Sequence, residues 1–504
     1  MLHRDAKTKF ILRKMTRAID VNFSIRQGDP LAMMLYIIYA EPLLIYIEER
    51  VSGLPMLSFS QSTEAFCDDL NVMTNKLDDL EIVDEAVRKF EKVSGAILSR
   101  NRKCKIIGFG AWKDKLDWPL KYLQTVDEIK VFGFFIMNSF KGLVKKNWNW
   151  RITKVQQSLM AWSSRHLESI YQRVEVINIF ALSRIFYVAS ILPISKTVVQ
   201  QLEKSIGKFI WNASGKILRV SMADIKNPKS RGGLGLLCLE TMGKSLRLSQ
   251  LLRLMKNGNE KSQKHIDFWM GDMIAEFHTD YGLGLCAKNV PGYFSTLAEN
   301  VAQARILDIF SEMNWNTVSN KMIYQQFIST LPVTKAEMDA GMSKNETWRK
   351  LQLPVLPSTA REVVYLLIHN KLPLEERLYR LGISNDPYCT MCVGGFVGDR
   401  EHFFTTCHLV INCWTEIRKI VGGLLSPCSL PVSDLDILGL SFPKGPKDIS
   451  CVWIVGNYVE FMWRALFIKK VQPNSDEMFG FLKYKYKADQ LGARESLNIP
   501  ELES

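Results

Sequence analysis

The sequence lacks an apolar run long enough to predict a membrane-spanning helix. Its longest apolar stretches, Leu31 to Ile47 and Val176 to Ile194, are interrupted by Glu41, Pro42 and Arg184. Both fall short of the roughly 18–20 uncharged residues that a bilayer requires. The N-terminal residues also lack the apolar core of a signal peptide. We therefore expect no membrane partner and an intracellular location, in the nucleus or the cytoplasm.

Internal repeats and low-complexity tracts are absent as well, and the chain has only 30 Gly and 18 Pro among 504 residues. This composition excludes a fibrous or wholly disordered protein. With 47% hydrophobic and 23% charged residues, the chain has enough apolar side chains to form buried cores. Its length predicts three or four structural units rather than one.

Acidic residues are scarce in one part of the chain. The whole chain carries 65 Lys and Arg against 52 Asp and Glu, a net charge of +13. Between Lys141 and Arg231 there are 16 basic and four acidic residues, so this segment holds nearly all of that charge. A basic segment favours a polyanionic partner, nucleic acid first. Scattered Lys and Arg on a solvated helix surface are the alternative interpretation.

Cysteine is sparse, and four of the ten cysteines lie within 25 residues of one another. The pattern Cys389-x2-Cys392-x9-His402-x4-Cys407 has the short first spacing of a zinc knuckle. It predicts a Zn²⁺ site with three sulfur ligands and one nitrogen ligand. Four protein ligands leave no open position for water or substrate, so the predicted site is structural.

Two further residues compete for a place in this zinc site. His408 follows Cys407 directly, and Cys413 lies six residues after it. From the sequence alone, either residue could replace one of the four predicted zinc ligands. Reduced cysteines beside a surface histidine, with no metal, are the remaining interpretation.

Periodicity predicts a hairpin and a helix around an acidic pair. The alternation from Thr63 to Thr74 predicts two short strands joined by a turn that contains Asp68 and Asp69. Helical spacing of apolar residues then predicts a helix from about 78 to 93, with Gly95 just past its end. A solvated turn is the plain interpretation of the two aspartates. Their functional interpretation is a site for Mg²⁺, which prefers carboxylate and phosphate oxygens.

Other helices are predicted from caps and apolar stripes. Asp29 and Pro30 are typical of a helix start, and the helix is predicted to run out at Pro42. From 141 to about 380 the pattern is mainly helical, and we interpret its apolar stripes as core positions. The segment from Pro228 to Gly235 predicts a break between modules.

Four motifs, in order, resemble the reverse transcriptases of LINE-type (non-LTR) retrotransposons. Arg26-Gln27-Gly28-Asp29-Pro30-Leu31 resembles palm motif B, Phe66-Cys67-Asp68-Asp69 resembles motif C, and Val131-Phe132-Gly133 resembles motif E. Between motifs C and E, the positions that resemble motif D are Phe90, Ser94, Gly95, Leu98 and Lys103. The likeness continues through the thumb, including Arg231-Gly232-Gly233-Leu234-Gly235, to about residue 414.

The resemblance implies roles for individual residues. Asp68 would be the catalytic metal ligand and Asp69 its supporting carboxylate, holding Mg²⁺ or Mn²⁺ for two-metal nucleotidyl transfer. Arg26, Gln27 and Gly28 would lie at the template and incoming nucleotide. Lys103 is a candidate for the pyrophosphate side, with an ordinary surface lysine as the alternative.

The resemblance also implies an absence. The family's second metal-binding aspartate belongs to motif A, upstream of motif B, and Asp5 and Asp20 lie in no such context. We therefore expect an N-terminally truncated polymerase that is inactive alone, so whether the chain is an enzyme stays open. The alternative function is a non-catalytic nucleic-acid-binding remnant that uses the basic segment and the zinc module.

The predicted fold class is α+β. We expect a partial palm with an antiparallel sheet and helices over residues 1–140, followed by a basic helical thumb over 141–235. A helical connector over 236–380 and a zinc-knuckle-like module over 381–420 follow, and the C-terminal region 421–504 has no predicted role. The expected partners are an RNA template, a DNA primer and, once the palm is complete, deoxynucleotide triphosphates. The candidate nucleic-acid contacts are Lys145, Lys146, Arg151 and Lys154.

Overall fold

The computed structural model describes residues 7–8, 17, 19–20, 31–56, 59–66, 69–100, 104–211, 220–275, 292–306, 318–332, 344–392, 394–425, 432–442, 445, 447–490 and 497–503. The chain divides into two compact units. The first consists of Met1–Asn147 and Gly258–Ala287, and the second of Trp148–Asn257 and Lys288–Ser504. The described part is mainly helical with small sheets, which confirms the α+β class at this level.

The strands are short and lie in the first unit. They are β1 Lys7–Thr8, β2 Ile19–Asp20, β3 Leu54–Met56, β4 Phe59–Gln61, β5 Thr63–Phe66, β6 Asp69–Val72, β7 Lys105–Ile106, β8 Gln124–Thr125, β9 Glu128–Val131 and β10 Phe134–Met137. Each described strand pairs with one neighbour. The β7–β8 pair is parallel, and the β1–β2, β3–β4, β5–β6 and β9–β10 pairs are antiparallel.

The helices lie in both units. They are α1 Ala32–Arg50, α2 Asp79–Ser94, α3 Phe140–Ser163, α4 Ile170–Val176, α5 Ser183–Ala189, α6 Lys196–Ile210, α7 Met222–Lys226, α8 Leu239–Asn257, α9 Glu260–Ala275, α10 Gly292–Ile306, α11 Asn320–Ser329, α12 Lys344–Leu351, α13 Ser358–Ile368, α14 Glu375–Arg380, α15 Ile411–Leu425, α16 Asp434–Leu438, α17 Asp448–Met462, α18 Ser475–Gln490 and α19 Pro500–Glu503. Wider π-helical turns occupy Ile177–Leu182, His402–Thr406 and Trp463–Lys469.

Helix α1 does not end at Pro42, so that prediction is wrong. The helix continues to Arg50 with Pro42 inside it. Proline removes the N–H group that would bond to the carbonyl four residues earlier, here that of Ile38. Both Pro42 and Ile38 face solvent, where water can bond to the freed carbonyl. The predicted start at Asp29 and Pro30 lies outside the described residues.

Helix α2 and the hairpin before it confirm two local predictions. The helix covers residues 79–94, and Gly95 ends it with φ +74°, a left-handed conformation that favours glycine. Strands β5 and β6 pair from Thr63 with Val72 to Phe66 with Asp69. Helices α1 and α2 and this hairpin share one core. The core positions are Ile47, Val51, Ala86, Leu43, Tyr46, Leu70, Val72, Ile82 and Val83.

The first unit is built from two separate chain segments. Its second segment contains helix α9, whose Ile266 and Met270 side chains are buried. In this helix the His265 ring packs edge-on against Phe59 of β4, with ring centroids 5.4 Å apart. The Lys261 ammonium lies 5.4 Å from the centre of the Phe59 ring. Strand β4 therefore gains packing from a helix about two hundred residues further along the chain.

A buried carboxylate in α2 fixes the segment that follows the helix. Asp84 accepts hydrogen bonds from Tyr122 Oη at 2.7 Å and Arg88 Nε at 2.7 Å. Arg100 also reaches Asp84, and its Nη1 donates to Glu91 Oε1 at 2.8 Å. Burial raises the pKa of Asp84, but the hydrogen bonds and the two guanidinium groups lower it by a larger amount. The net shift of this pKa is therefore downward. The ionised form of this carboxylate is therefore the one that stabilises the fold.

We expect an Asp84→Asn substitution to weaken α2 at neutral pH and to reduce the acid sensitivity of the first unit. The folded-state pKa of Asp84 lies below its unfolded value of about 3.9, so its contribution is complete above that pH and is lost as the pH falls through the folded-state pKa. Loss of hydrogen bonds to a charged group costs about 1–3 kcal/mol. Hydrogen exchange of the α2 amides at pH 7 and pH 3.5 measures both effects. Exposed Asp117→Asn is the control; equal behaviour of the two variants would contradict the prediction.

The second unit confirms the apolar stripes as core positions. Ile152, Val155 and Leu159 of α3 are buried, as are Ile177 and Leu182 of the following helical stretch. Phe180, another apolar residue of this helical stretch, is instead 43% exposed. The π-helical turn changes the angular spacing of the residues at this point, which the sequence pattern did not reveal.

The segment from Pro228 to Gly235 lies inside the second unit. Arg231 donates from its guanidinium to the carbonyl groups of Ser329 and Leu331, each at 3.1 Å. Gly232 has φ +77°, and its carbonyl accepts from His369 Nε2 at 2.8 Å. Burial lowers the pKa of His369 to about 4, so this histidine is neutral at pH 7. The glycine-rich segment thus contacts residues that lie 98 to 137 positions further along the chain.

One described helical stretch, Asp448–Lys469, is long and apolar enough by length and composition to cross a membrane. Of its most apolar 18-residue window, 78% is buried inside the protein. In the sequence, Glu460 and Arg464 interrupt this apolar stretch. Both charges are paired in the structure, since Arg464 donates to Glu460 at 2.6 Å and Lys485 donates to it at 3.1 Å. Such burial is typical of the central helix of a protein core.

Candidate metal centre

A small hairpin positions the first two predicted zinc ligands. Tyr388 and Val397 form an antiparallel bridge. Cys389 N donates to the Phe396 carbonyl at 2.8 Å, and Gly398 N donates to the Pro387 carbonyl at 2.8 Å. Cys389 and Cys392 lie between these two bridged residues, and their thiols belong to the same cluster. This arrangement is typical of the short first spacing in zinc knuckles.

A π-helical turn positions the other two ligands. His402 begins the turn and Cys407 follows its end, with Cys407 N donating to the His402 carbonyl at 2.9 Å. Asp399 starts the turn, because its Oδ1 accepts from His402 N at 2.8 Å. Sequence analysis missed this Asp399 cap, although an aspartate three residues before a helical residue is a recognisable signal.

The four predicted ligands form one buried cluster. The ligand atoms of Cys389, Cys392, His402 and Cys407 all lie within 4.8 Å of one another, and Cys392 Sγ is 3.2 Å from His402 Nε2. A tetrahedral zinc ion with bonds of about 2.0–2.3 Å separates its ligands by roughly 3.5–3.8 Å. Three soft thiols and one imidazole nitrogen gathered in this way suit zinc. The structure brings the four predicted residues together in one cluster.

Burial sets the protonation of the metal-free cluster. It raises the pKa of the Cys407 thiol to about 12 and also raises the pKa of Cys389. It lowers the pKa of His402. At neutral pH the imidazole is therefore neutral, as a metal ligand must be, and the thiols of Cys389 and Cys407 carry protons. A bound zinc ion displaces these protons and stabilises the thiolates.

The neighbouring side chains hold the cluster in place. The Phe396 ring stacks on the imidazole of His402, with centroids 5.5 Å apart and the planes 25° apart. Phe404, in the π-helical turn, is fully buried, and its carbonyl accepts from Tyr458 Oη of α17 at 2.6 Å. Region 421–504, for which no role was predicted, therefore supplies part of the packing around the cluster.

The two alternative ligands are not in the cluster. His408 is exposed. Cys413 is buried in α15, where its Sγ lies 3.7 Å from Ser475 Oγ. In the part of the chain that the structure describes, the metal-binding group consists of the four predicted residues.

The acidic hairpin is described only in part. Asp69 is exposed at the first position of β6, opposite Phe66. The ring of Phe66 packs edge-on against Phe132 of the β9–β10 turn, with centroids 5.8 Å apart, so the segments that resemble motifs C and E lie side by side. The other predicted palm residues, Asp68, Arg26, Gln27, Gly28 and Lys103, lie outside the described residues.

Two of the four candidate nucleic-acid contacts lie in the first unit, in α3. Lys145 is exposed. Lys146 forms an ion pair with Glu128 at 2.9 Å, and its ammonium lies 5.2 Å from the centre of the Phe135 ring. Lys145 is therefore the more accessible charge for a phosphate.

The other two candidates lie further along α3, in the second unit. The Arg151 guanidinium lies 4.5 Å from the Trp150 ring centre and donates to the Arg184 carbonyl at 3.0 Å. Burial lowers the pKa of Arg151. Lys154 donates to Gln157 at 3.2 Å and lies 5.8 Å from the Trp150 ring centre. Both cations thus flank one tryptophan.

Comparison with known proteins agrees with the cluster. Residues 333–414 match the zinc-binding domain of reverse transcriptases, and this segment contains all four ligands. Over 244 residues the chain is 23% identical to a Xenopus laevis protein described as "Transposon TX1 uncharacterized 149 kDa protein". That alignment covers 48% of this chain and 18% of the relative. Together, the domain match, the relative and the four-ligand cluster support a retroelement protein related to reverse transcriptases, with a zinc-binding module.

Proposed function

We propose that the chain is a portion of the RNA-directed DNA polymerase of a LINE-type (non-LTR) retrotransposon, with palm motifs B to E, a basic thumb and a structural zinc module. The observation that carries this proposal is the four-ligand cluster, because it lies within the segment that matches a reverse-transcriptase domain. The hairpin with Asp69 supports it from the other end of the chain. The alignment with the Xenopus laevis transposon protein, which covers 48% of this chain, gives further support.

The chemistry would be two-metal nucleotidyl transfer. Asp68 and Asp69 would hold divalent cations, which would activate the primer hydroxyl and stabilise the leaving pyrophosphate. The 504 residues contain no aspartate in a context that resembles motif A. A complete site therefore needs a carboxylate from additional palm sequence.

We expect the 504-residue chain to give no measurable primer extension on an RNA template with Mg²⁺ or Mn²⁺. A two-metal site that lacks one bridging carboxylate loses the in-line geometry on which the transfer depends. In a chimera, the chain would be preceded by a reverse-transcriptase palm segment that contains motif A. Nucleotide incorporation by this chimera should be abolished by Asp68→Ala and by Asp69→Ala.

Glu64→Ala is the matched control for this experiment, since Glu64 is an exposed acid in the same hairpin. It should leave incorporation unchanged. Incorporation that survives loss of both aspartates would contradict the proposed palm site. A chimera that binds an RNA–DNA hybrid but never extends a primer would favour the non-catalytic binding role.

A further inference from the structure

Two aromatic rings lie together on the surface of the second unit. Trp162, in the last turn of α3, and Phe180, in the π-helical turn, have ring centroids 4.8 Å apart and planes tilted by 33°. Phe180 is 43% exposed and Ile179 beside it is 60% exposed. Such large apolar side chains normally turn inward in a helix of this unit, as Ile177 and Leu182 do.

The π-helical turn is what points Phe180 outward. A turn of this kind is one residue wider than an α-helical turn and occurs often at functional sites. Side-chain donors bond to its carbonyl groups: Ser158 Oγ and Arg184 Nε donate to the Phe180 carbonyl at 3.1 and 3.0 Å. Ser183 Oγ donates to the Ile179 carbonyl at 2.6 Å. The exposed position of the ring is therefore held by specific hydrogen bonds.

Cations flank the aromatic pair. The Arg165 guanidinium lies 4.8 Å from the centre of the Trp162 ring, and Arg184 is bonded to the Phe180 carbonyl through Nε, with its side chain exposed. Within the described residues, neither arginine forms an ion pair with a carboxylate. Two acids lie between Trp162 and Phe180 in the sequence: Glu175 is paired with Lys229 at 3.2 Å, and Glu168 accepts a hydrogen bond from Ser358 Oγ at 3.4 Å. The local charge around the rings is thus positive.

A second cation–aromatic group lies on the same helices. Arg151 lies 4.5 Å from the centre of the Trp150 ring and 6.0 Å from that of Tyr187, which is 44% exposed. Aromatic rings and cationic side chains therefore lie together in two groups on α3 and the helical stretch that follows it. Repetition of this pairing argues against a single chance exposure of Phe180.

We infer that the surface formed by Trp162, Phe180, Arg165 and Arg184 binds unpaired bases of a single-stranded nucleic acid. A base stacks on the exposed aromatic face, and the two guanidinium groups neutralise the flanking phosphates. Phosphate contact alone needs only the cations, so the exposed rings indicate a ligand with its own π-face. Bases inside a duplex are already stacked and cannot reach the rings. This inference rests on the proposed function, since it specifies how the thumb region would contact nucleic acid.

The test measures binding of the full chain to a single strand that carries 2-aminopurine, and to a duplex of equal length. The fluorescence of 2-aminopurine should be quenched on binding, because the base stacks on Phe180. Phe180→Ala should weaken single-strand binding about tenfold, which corresponds to roughly 1.4 kcal/mol and lies in the range measured for one stacked base. It should also remove the quenching. Phe180→Tyr should retain both, and Phe140→Ala, which removes an exposed phenylalanine at the start of α3, should change neither.

The outcomes separate this inference from the proposed function. Salt-dependent binding that Phe180→Ala leaves unchanged would overturn the stacking site while keeping nucleic-acid binding. Equal weakening of single-strand and duplex binding would overturn it too, because the ring would then act on the backbone alone. Absence of binding to any nucleic acid would count against the proposed function itself. Binding to anionic vesicles but not to the strand, lost in Phe180→Ala, would replace the inferred ligand with a lipid surface.

Discussion

Metal analysis of the purified chain should give about one zinc ion per chain, and a Cys389→Ser/Cys392→Ser double variant should give none. Three thiolates and one imidazole form a closed tetrahedral site, and the four ligand atoms already lie within 4.8 Å of one another. In zinc-finger peptides such a metal contributes on the order of 10 kcal/mol of folding free energy. Chelation should therefore unfold the hairpin and the turn that follows it. Hydrogen exchange of residues 388–407 measures this loss directly.

Two substitutions in the same region serve as controls for the zinc experiment. His408→Ala and Cys413→Ala remove the alternative ligands, neither of which belongs to the cluster. Both variants should keep the full zinc content. Zinc that remains in the double-serine variant, or that is lost from the Cys413→Ala variant, would contradict the assignment of ligands.

Among the described glycines of the second unit, Gly233 should be the one whose replacement by alanine is most destabilising. A Cβ at this position would lie 1.9 Å from the carbonyl oxygen of Asn227 and 2.4 Å from its carbon. Both atoms belong to the backbone, and that carbonyl also accepts from Gly235 N at 3.0 Å, so the segment cannot yield cheaply. We expect a loss of about 3 kcal/mol or more, at the upper end of single-site effects.

Gly422→Ala provides the matched comparison. Gly422 is an exposed residue of helix α15, and nothing lies within 4 Å of an added Cβ there. Replacing a helical glycine by alanine gains about 0.5–1 kcal/mol. Urea unfolding, monitored by hydrogen exchange of the α8 and α13 amides, measures the change in the free energy of unfolding. This change should have opposite signs for the two variants. A neutral effect of Gly233→Ala would show that this backbone contact is looser than described.

Features with a local sequence signal could be predicted. Helix α2 followed from apolar spacing and Gly95, the β5–β6 hairpin from alternation around the acidic pair, and the zinc ligands from their spacing. In each case all of the interacting residues lie within about 20 positions. The competition between Cys407, His408 and Cys413 needed the structure, because the direction of each side chain depends on the π-helical turn.

Features that depend on distant partners could not be predicted. The Asp84 network needs Tyr122, which lies 38 residues away. The exposure of Phe180 depends on a wide turn that has no sequence signature. Helix α17 was missed because Glu460 looks like an interruption until its partner Lys485 is known. Tertiary pairing overrides the local preference in all three places.

The construction of the first unit from two chain segments imposes an order on synthesis. Strand β4 leaves the ribosome long before helix α9, which carries the His265 that packs on Phe59. At about 5–20 residues per second, the roughly 200 residues between them take on the order of ten seconds or more to translate. During that interval, the surface that α9 covers is open to chaperones and to other nascent chains. A shortened messenger that stops at residue 257 would therefore yield a first unit that stays unfinished.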